Sequence, residues 1–327
     1  MACLATMLAA LAHSGSSTRR ALSHAARMSV LVRADGSPAS LLSRLPRVIF
    51  TDCDGTLLGP DHRLSRRSRA ALRALADAGV RVVPATGRAR SGAWTEHVLT
   101  EPALRNGCPG IYLNGCSAFD ESGGEATVAL EPAAARAAVA FGAARRELAT
   151  TVVYVGGEAL VDVDDELTAK LAAVGDSPLR RVPSLAAALE ADAVASAAAK
   201  VLLLCADDEA TAAELRAAVA PAIAGRGAEL TRALSWCLEV KPAGVCKATA
   251  AAALLRAWGL EPADALALGD GENDVSLLRL CGASVAMGNG CSHAKEAALF
   301  LAPSNADDGF AAAIEALVLG HARMPQK

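Results

Sequence analysis

Residues 47–88 impose a rhythm that few folds satisfy. "RVIFTD" (47–52) is an apolar run of strand length, "LSRRSRAALRALADAG" (64–79) reads as a helix that stops at Gly79, and "VRVVPATGR" (80–88) is a second strand. A strand, a helix and a strand in so short a span form a βαβ unit, so the two strands run parallel. Ligands of such sheets sit beyond the carboxyl ends of the strands. There the first strand ends in two acids one residue apart, Asp52 and Asp54.

A third strand, "GIYLNG" (110–115), leads into a stretch of different cadence. It holds "ATVAL", an Ala-rich helix at 133–148, "TVVYVGGEALVDV" with a hairpin signal at Gly156 and Gly157, "AKVLLLC", a helix at 208–219, and "AELTRA". The βα alternation returns at "CLEVK" and continues through helix "VCKATAAAALLRAWG", strand "ALALGD", helix "NDVSLLRLCG", strand "ASVAMG", helix "CSHAKEAA", strand "LFLAP" and helix "DGFAAAIEALVLG". The expected fold is α/β, a doubly wound parallel sheet over 46–117 and 236–322, with an α+β domain inserted at 118–235. Two chain crossings between the domains make a hinge.

Composition bounds the partners. At 327 residues, with about 150 per domain, two domains fit the length. A net charge of −3 gives no basic field for nucleic acid, and 3% aromatics leave a core of Ala, Leu and Val. Small substrates are expected. The nine cysteines are irregularly spaced with no CxxC, which argues against a disulfide framework or a zinc knuckle. Residues 1–34 contain no acid, and Arg19, Arg20, Arg27 and Arg33 sit among Ser, Thr and Ala. Residues 1–45 therefore read as an organellar leader, plastid ahead of mitochondrion, or as a disordered tail of a cytoplasmic protein. The opening "MACLATMLAALA" also has the form of a short signal core. No later apolar run reaches about 18 uncharged residues, so no membrane span is expected. Oligomeric state is not legible.

Asp52 and Asp54 can converge on one pocket because the chain turns at Gly55, and a hard divalent cation would relieve their repulsion. "LGDGENDVSLL" repeats the theme, with Asp270 and Asp274 bracketing Glu272 and Asn273 after the apolar "ALAL". In "ATGR", Thr86 and Gly87 offer a hydroxyl and a backbone N–H to a phosphoryl oxygen. Lys247 lies in the first turn of a helix, where the dipole disfavours a cation, so it needs an anionic partner. Each segment alone is also compatible with a solvated turn or helix start.

Taken in order, "DCDGTLL", "ATGR", "GVCKATA" and "GDGENDVSLL" resemble the motifs of haloacid dehalogenase-like hydrolases. They are most similar to Cof-type, class IIB phosphatases with a large α/β cap inserted after the third core strand. "YLNG", "VAMGNG" and "SNADDGFAAAIE" fit the same pattern, and the resemblance covers about 48–319. It implies that Asp52 is a nucleophile forming an aspartyl-phosphate and Asp54 the general acid and then base. It further implies that Mg²⁺ is held by Asp52, the Asp54 carbonyl and Asp270, with Asp274 close by. Thr86, Gly87, Lys247 and Asn273 would hold the phosphoryl group of a small phosphorylated metabolite.

Three positions depart from the pattern: Cys53 between the first acids, Ala248 after Lys247, and Pro84 before Thr86. None removes a catalytic group. Lys241 is the reserve for Lys247. A sugar phosphomutase shares this core and would need cap arginines, for which Arg136, Arg145, Arg146, Arg180 and Arg181 are available. A non-catalytic metabolite-binding relative is the third reading.

Overall fold

Burial on both faces explains the unbroken apolar runs of the core strands. In the computed structural model, which describes residues 32–33, 42, 44–175 and 177–319, β1 (Val32–Arg33) precedes β2 (Val48–Thr51), α1 (Arg66–Asp77), β3 (Arg81–Pro84) and β4 (Gly110–Tyr112). A hairpin, β5 (Ser117–Phe119) and β6 (Glu125–Thr127), follows. The inserted region comprises α2 (Pro132–Ala144), β7 (Thr150–Val155), β8 (Glu158–Val161), α3 (Glu166–Val174), β9 (Leu179–Arg181), α4 (Leu185–Ala188), α5 (Asp192–Ser196), β10 (Ala198–Leu204), α6 (Glu209–Ile223), β11 (Ala228–Leu234) and β12 (Cys237–Pro242). The chain then returns through α7 (Lys247–Ala257), β13 (Ala265–Gly269), α8 (Val275–Leu280), β14 (Ala283–Ala286), α9 (Ser292–Ala297), β15 (Phe300–Leu301) and α10 (Gly309–Leu317).

The core sheet has the order β1-β15-β14-β13-β2-β3 and is parallel from β15 to β3. Beyond β3, an Ala85–Ile111 bridge attaches β4 and its hairpin. Pro84 is the last residue of β3, opposite Thr51, so its missing N–H falls where the strand ends. α1 starts at Ser65, whose hydroxyl accepts from the Ser68 N–H at 3.0 Å, a cap worth about 1 kcal/mol. Its Leu72 and Leu75 are buried in the core.

The second sheet, β11-β12-β10-β7-β8-β9, is antiparallel except for β8–β9. One face, with Val153, Val201, Leu203, Leu238 and Val240, packs with residues of α2 and α6 such as Ala138, Leu215 and Val219. Strand alternation turns Lys200, Leu202 and Glu239 the other way, toward the core domain. This inserted α+β cap on a parallel-sheet core is the fold class expected.

Several boundaries differ from the expected ones. The leader or tail expected over 1–45 lies outside the described residues except for 32–33, 42 and 44–45. Within it, Val32 and Arg33 pair antiparallel with Leu301 and Phe300, covering an edge strand. Two residues are too few to leave a periodic signal. The cap does not begin at 118, since β5 and β6 extend β4. Nor does the core resume at 236, because β12 lies between β10 and β11 in the cap sheet. A buried strand followed by a helix reads as a core βα unit whichever sheet owns the strand. The elements α3, β9, α4 and α5 gave no reading: β9, α4 and α5 are too short to show a period, and alanines blur that of α3. α6 continues through Pro221 to Ile223, and α2 stops at Ala144. Among the described residues, no helix is long and apolar enough to cross a membrane.

Candidate active site

The core strands deliver four acidic groups to one edge. β2 delivers Asp52, and after Cys53 and Asp54 the chain turns at Gly55, whose φ is +77°. Lys247, the first residue of α7, is fully buried. Its ammonium donates to Asp52 Oδ1 at 2.5 Å and to Asp274 Oδ1 at 2.6 Å. The other oxygen of Asp274 accepts the backbone N–H groups of Asp270 and Gly271, both at 2.9 Å. Thr56 donates its hydroxyl to Asp270 Oδ1 at 2.8 Å.

Electrostatics make this cluster costly as it stands. Carboxylate oxygens of Asp52, Asp270 and Asp274 all lie within 4.8 Å of one another, against one ammonium. Burial pushes Asp52 well above its ordinary 3.8, with Asp274 and Asp270 adding to the rise and Lys247 opposing it. Burial and then Asp274 push Asp270 up to about 7. Burial alone would lower Lys247, yet Asp274 and Asp52 hold it above its ordinary value. Such an excess of hard oxygen donors fits a divalent cation such as Mg²⁺. Both oxygens of Asp274 are held by bonds of 2.9 Å or less, whereas Asp270 Oδ2 accepts from Asn289 Nδ2 at a longer 3.4 Å.

Asp54 faces elsewhere. Buried Arg88 grips it with two bonds, Nε to Oδ2 at 2.6 Å and Nη2 to Oδ1 at 2.5 Å, and His62 Nδ1 lies 2.7 Å from Oδ1. Burial raises its pKa, but the Arg88 and His62 hydrogen bonds outweigh that and hold the carboxyl well below the usual range. Arg88 Nη1 also donates to the Val174 carbonyl at the end of cap helix α3, at 2.8 Å. One guanidinium thus joins Asp54 to the cap.

Asp52, Asp54, Thr86, Gly87 and Asn273 line a cavity of about 630 Å³ between core and cap. Thr86 Oγ1 accepts the Arg88 N–H at 3.1 Å, which leaves its own proton to aim elsewhere. Asn273 donates to Asn114 Oδ1 at 2.9 Å, and Asn114 donates to Glu239 Oε2 at 2.5 Å. Lys200 closes the chain, bonding Glu239 Oε1 at 2.9 Å and the Gly87 carbonyl at 2.8 Å. Lys200, Glu239 and Asn114 are all buried.

The sequence-derived residues therefore gather in two groups. Asp52, Lys247, Asp270 and Asp274 form the charged cluster, and Thr86, Gly87 and Asn273 join Asp54 on the cavity wall. Lys241 is engaged by Glu229 and the Val245 carbonyl and is not among the residues lining the cavity. The cap arginines raised for a second phosphate pair with acids of the cap instead: Arg136 with Asp192, Arg145 with Glu147, Arg146 with Asp162, Arg180 with Glu158 and Arg181 with Asp164. None lines the cavity. Cys53 is buried, and burial, then Asp52 and Asp54, push its thiol up, so it packs as a small apolar residue.

Sequence reasoning missed Thr56, His62, Arg88, Asn114, Lys200, Glu239 and Asn289. Asn289 donates to the Gly55 carbonyl at 2.8 Å and so supports the turn after Asp54. Thr56, Arg88, Asn114 and Asn289 lie inside segments already singled out, "DCDGTLL", "ATGR", "YLNG" and "VAMGNG", and His62 follows the first of them. Lys200 and Glu239 needed the cap-to-core register. Gly55 is tightly constrained: a Cβ there would lie 2.3 Å from Asp270 Oδ2. Gly55→Ala is expected to lower turnover by roughly 10²-fold through displacement of Asp270, read as kcat with the fold checked by circular dichroism.

The molecule is thus a parallel α/β core with a carboxylate cluster at its carboxyl edge, roofed by an inserted α+β cap. The profile of the haloacid dehalogenase-like hydrolases matches residues 49–314, and the chain belongs to that family. It is 27% identical over 288 residues to the chloroplastic endoribonuclease YBEY of Arabidopsis thaliana, covering 86% of this chain and 48% of that protein. It is 35% identical over 91 residues to the 5-amino-6-(5-phospho-D-ribitylamino)uracil phosphatase YcsE of Bacillus subtilis, covering 28% of this chain and 36% of that one. The matches thus span half or less of these relatives' own lengths. A solved haloacid dehalogenase-like hydrolase from Bacteroides thetaiotaomicron superposes with a TM-score of 0.70 at 26% identity, covering 83% of this chain and 98% of its own.

Proposed function

We propose that the protein is a Mg²⁺-dependent phosphomonoesterase acting on a small phosphorylated metabolite. The observation that carries this reading is the buried Lys247 ammonium bridging Asp52 and Asp274 beside Asp270, behind a cavity that Asp52 itself lines. Asp52 and Asp270 would hold the metal with the Asp54 backbone carbonyl, and Asp274 would orient them. When bound, the metal neutralises the phosphoryl oxygens and the nucleophile.

The chain's own groups supply the rest. Lys247 fixes the Asp52 carboxylate, one of whose oxygens attacks phosphorus as the bond to the leaving alcohol breaks. Asp54 delivers a proton to the oxygen of the leaving alcohol and, in the second step, takes one from the water that attacks the aspartyl-phosphate, releasing inorganic phosphate and free Asp52. A carboxyl gripped by Arg88 does not hold a proton, so Arg88 must loosen as the leaving group enters. Thr86, the Gly87 N–H and Asn273 hold the phosphoryl oxygens. The acid-paired cap arginines give no support to a mutase, and the complete cluster none to a non-catalytic role.

The N-terminal segment is proposed as a plastid leader, on its acid-free composition and the likeness to a chloroplastic protein. Import of a fluorescent fusion by isolated chloroplasts tests it; exclusion from them would remove it.

Phosphate release from a panel of phosphomonoesters, with Mg²⁺ and with EDTA, tests the activity. Release that EDTA does not abolish would overturn the metal assignment. Asp270→Asn should weaken Mg²⁺ binding by more than about tenfold, read as a rise in the Mg²⁺ concentration for half-maximal rate. An unchanged titration would remove Asp270 from the metal site.

A further inference from the structure

The cap's side of the cavity is mostly apolar. Leu171 and Val174 of α3, Leu202 of β10, Leu234, Trp236 and Cys237 form it. The polar side chains the cap adds there are Lys170, Lys200 and Glu239, and all are engaged. Lys200 bonds Glu239 and the Gly87 carbonyl, while Lys170 bonds Asp207 at 3.0 Å with its ammonium 4.5 Å from the centre of the Trp236 ring. Among the described residues lining the cavity, the cap contributes no hydroxyl or carboxamide side chain.

From this we infer the leaving-group class: a phosphorylated alcohol that ends in a flat, largely apolar ring carrying a hydrogen-bond acceptor. The inference rests on the phosphomonoesterase reading above. A bare polyol would surrender its bonds to water here and find few replacements. A ring loses little on entry and gains from apolar contact. Each cap lysine faces a carboxylate, so the wall carries no surplus positive charge for a second phosphate. Lys170 has three donors, of which Asp207 takes one, so it can still donate to a ring carbonyl or ring nitrogen at the far end. A rigid ring also loses fewer internal rotations on binding than an alkyl chain. At about 630 Å³ the cavity has room for a ring beyond the phosphoryl group.

The test compares esters that differ in the ring. With the full chain and Mg²⁺, kcat/KM is measured for FMN and pyridoxal 5′-phosphate against D-ribitol 5-phosphate and n-hexyl phosphate. At least one ring ester should exceed both others by about tenfold or more, equivalent to about 1.4 kcal/mol. Trp236→Ala and, as a smaller change, Leu202→Gln should each bring that ratio down several-fold. Ribitol phosphate as good as the ring esters, hexyl phosphate as good as the ring esters, or a ratio unmoved by both substitutions would each overturn the ring assignment. If none of these esters nor p-nitrophenyl phosphate is hydrolysed, the phosphomonoesterase reading falls and the ring assignment with it.

Discussion

Asp52→Asn is expected to reduce phosphate release by at least about 10⁴-fold while the chain still folds. The amide keeps the shape of the carboxylate but is a far poorer nucleophile toward phosphorus. Its effect on stability should run the other way. A carboxyl whose folded value lies above its unfolded value keeps its proton longer in the folded protein, so stability is fully present below the unfolded value and falls as pH climbs through the folded one. Burial and neighbouring acids put Asp52 in that position, and Asp270 too, with a folded value of about 7. In EDTA, Asp52→Asn should therefore melt above wild type near pH 7, and the gap should narrow toward about pH 4. Added Mg²⁺ should raise the melting temperature of wild type more than that of the variant. Turnover like wild type in Asp52→Asn would end the mechanism, and a lower melting temperature in EDTA would contradict the charge balance.

The second large effect is expected at the cap's buried ion pair. Glu239→Ala leaves the Lys200 ammonium inside the protein with the Gly87 carbonyl and the Tyr154 ring beside it. Breaking one partner of such a pair costs about 3–5 kcal/mol. The same change removes the acceptor that turns Asn114, and through Asn114 the cavity-lining Asn273. Urea denaturation should show the loss, and the double substitution Lys200→Met, Glu239→Leu should recover much of it while leaving kcat low. Equal stability of Glu239→Ala and wild type would show that the ammonium is relieved by water.

The core was legible because its signals are local. Three short segments carry turn chemistry or charge at a core strand end, and parallel βα alternation places Asp52, Thr86 and Asp270 together; Lys247 follows a cap strand and is joined to them by the order of the motifs. The cap resisted for the opposite reason. Its α4 and α5 are too short to show a period, alanines blur that of α3, and β12 looks like a core strand until its partners are known. The missed residues follow the same line. Arg88 finds Asp54 across 34 positions and Val174 across 86, and Lys200 finds Gly87 across 113. Register between core strands decides the first of these contacts and register between the two domains the others, and no window of sequence contains either.

The return path from cap to core sets a constraint on how this architecture can be rebuilt. β12 ends at Pro242, α7 begins at Lys247, and Lys241 braces the link by bonding the Val245 carbonyl. An interior strand of the cap sheet and the ammonium that grips Asp52 are therefore joined by a short, braced link. A graft that exchanges the cap for another has latitude at the entry splice, after the hairpin at 117–127, where the chain is far from the charged cluster in sequence. At the exit splice it has very little, since one inserted residue would shift the lysine along the helix and withdraw the cation from both acids at once.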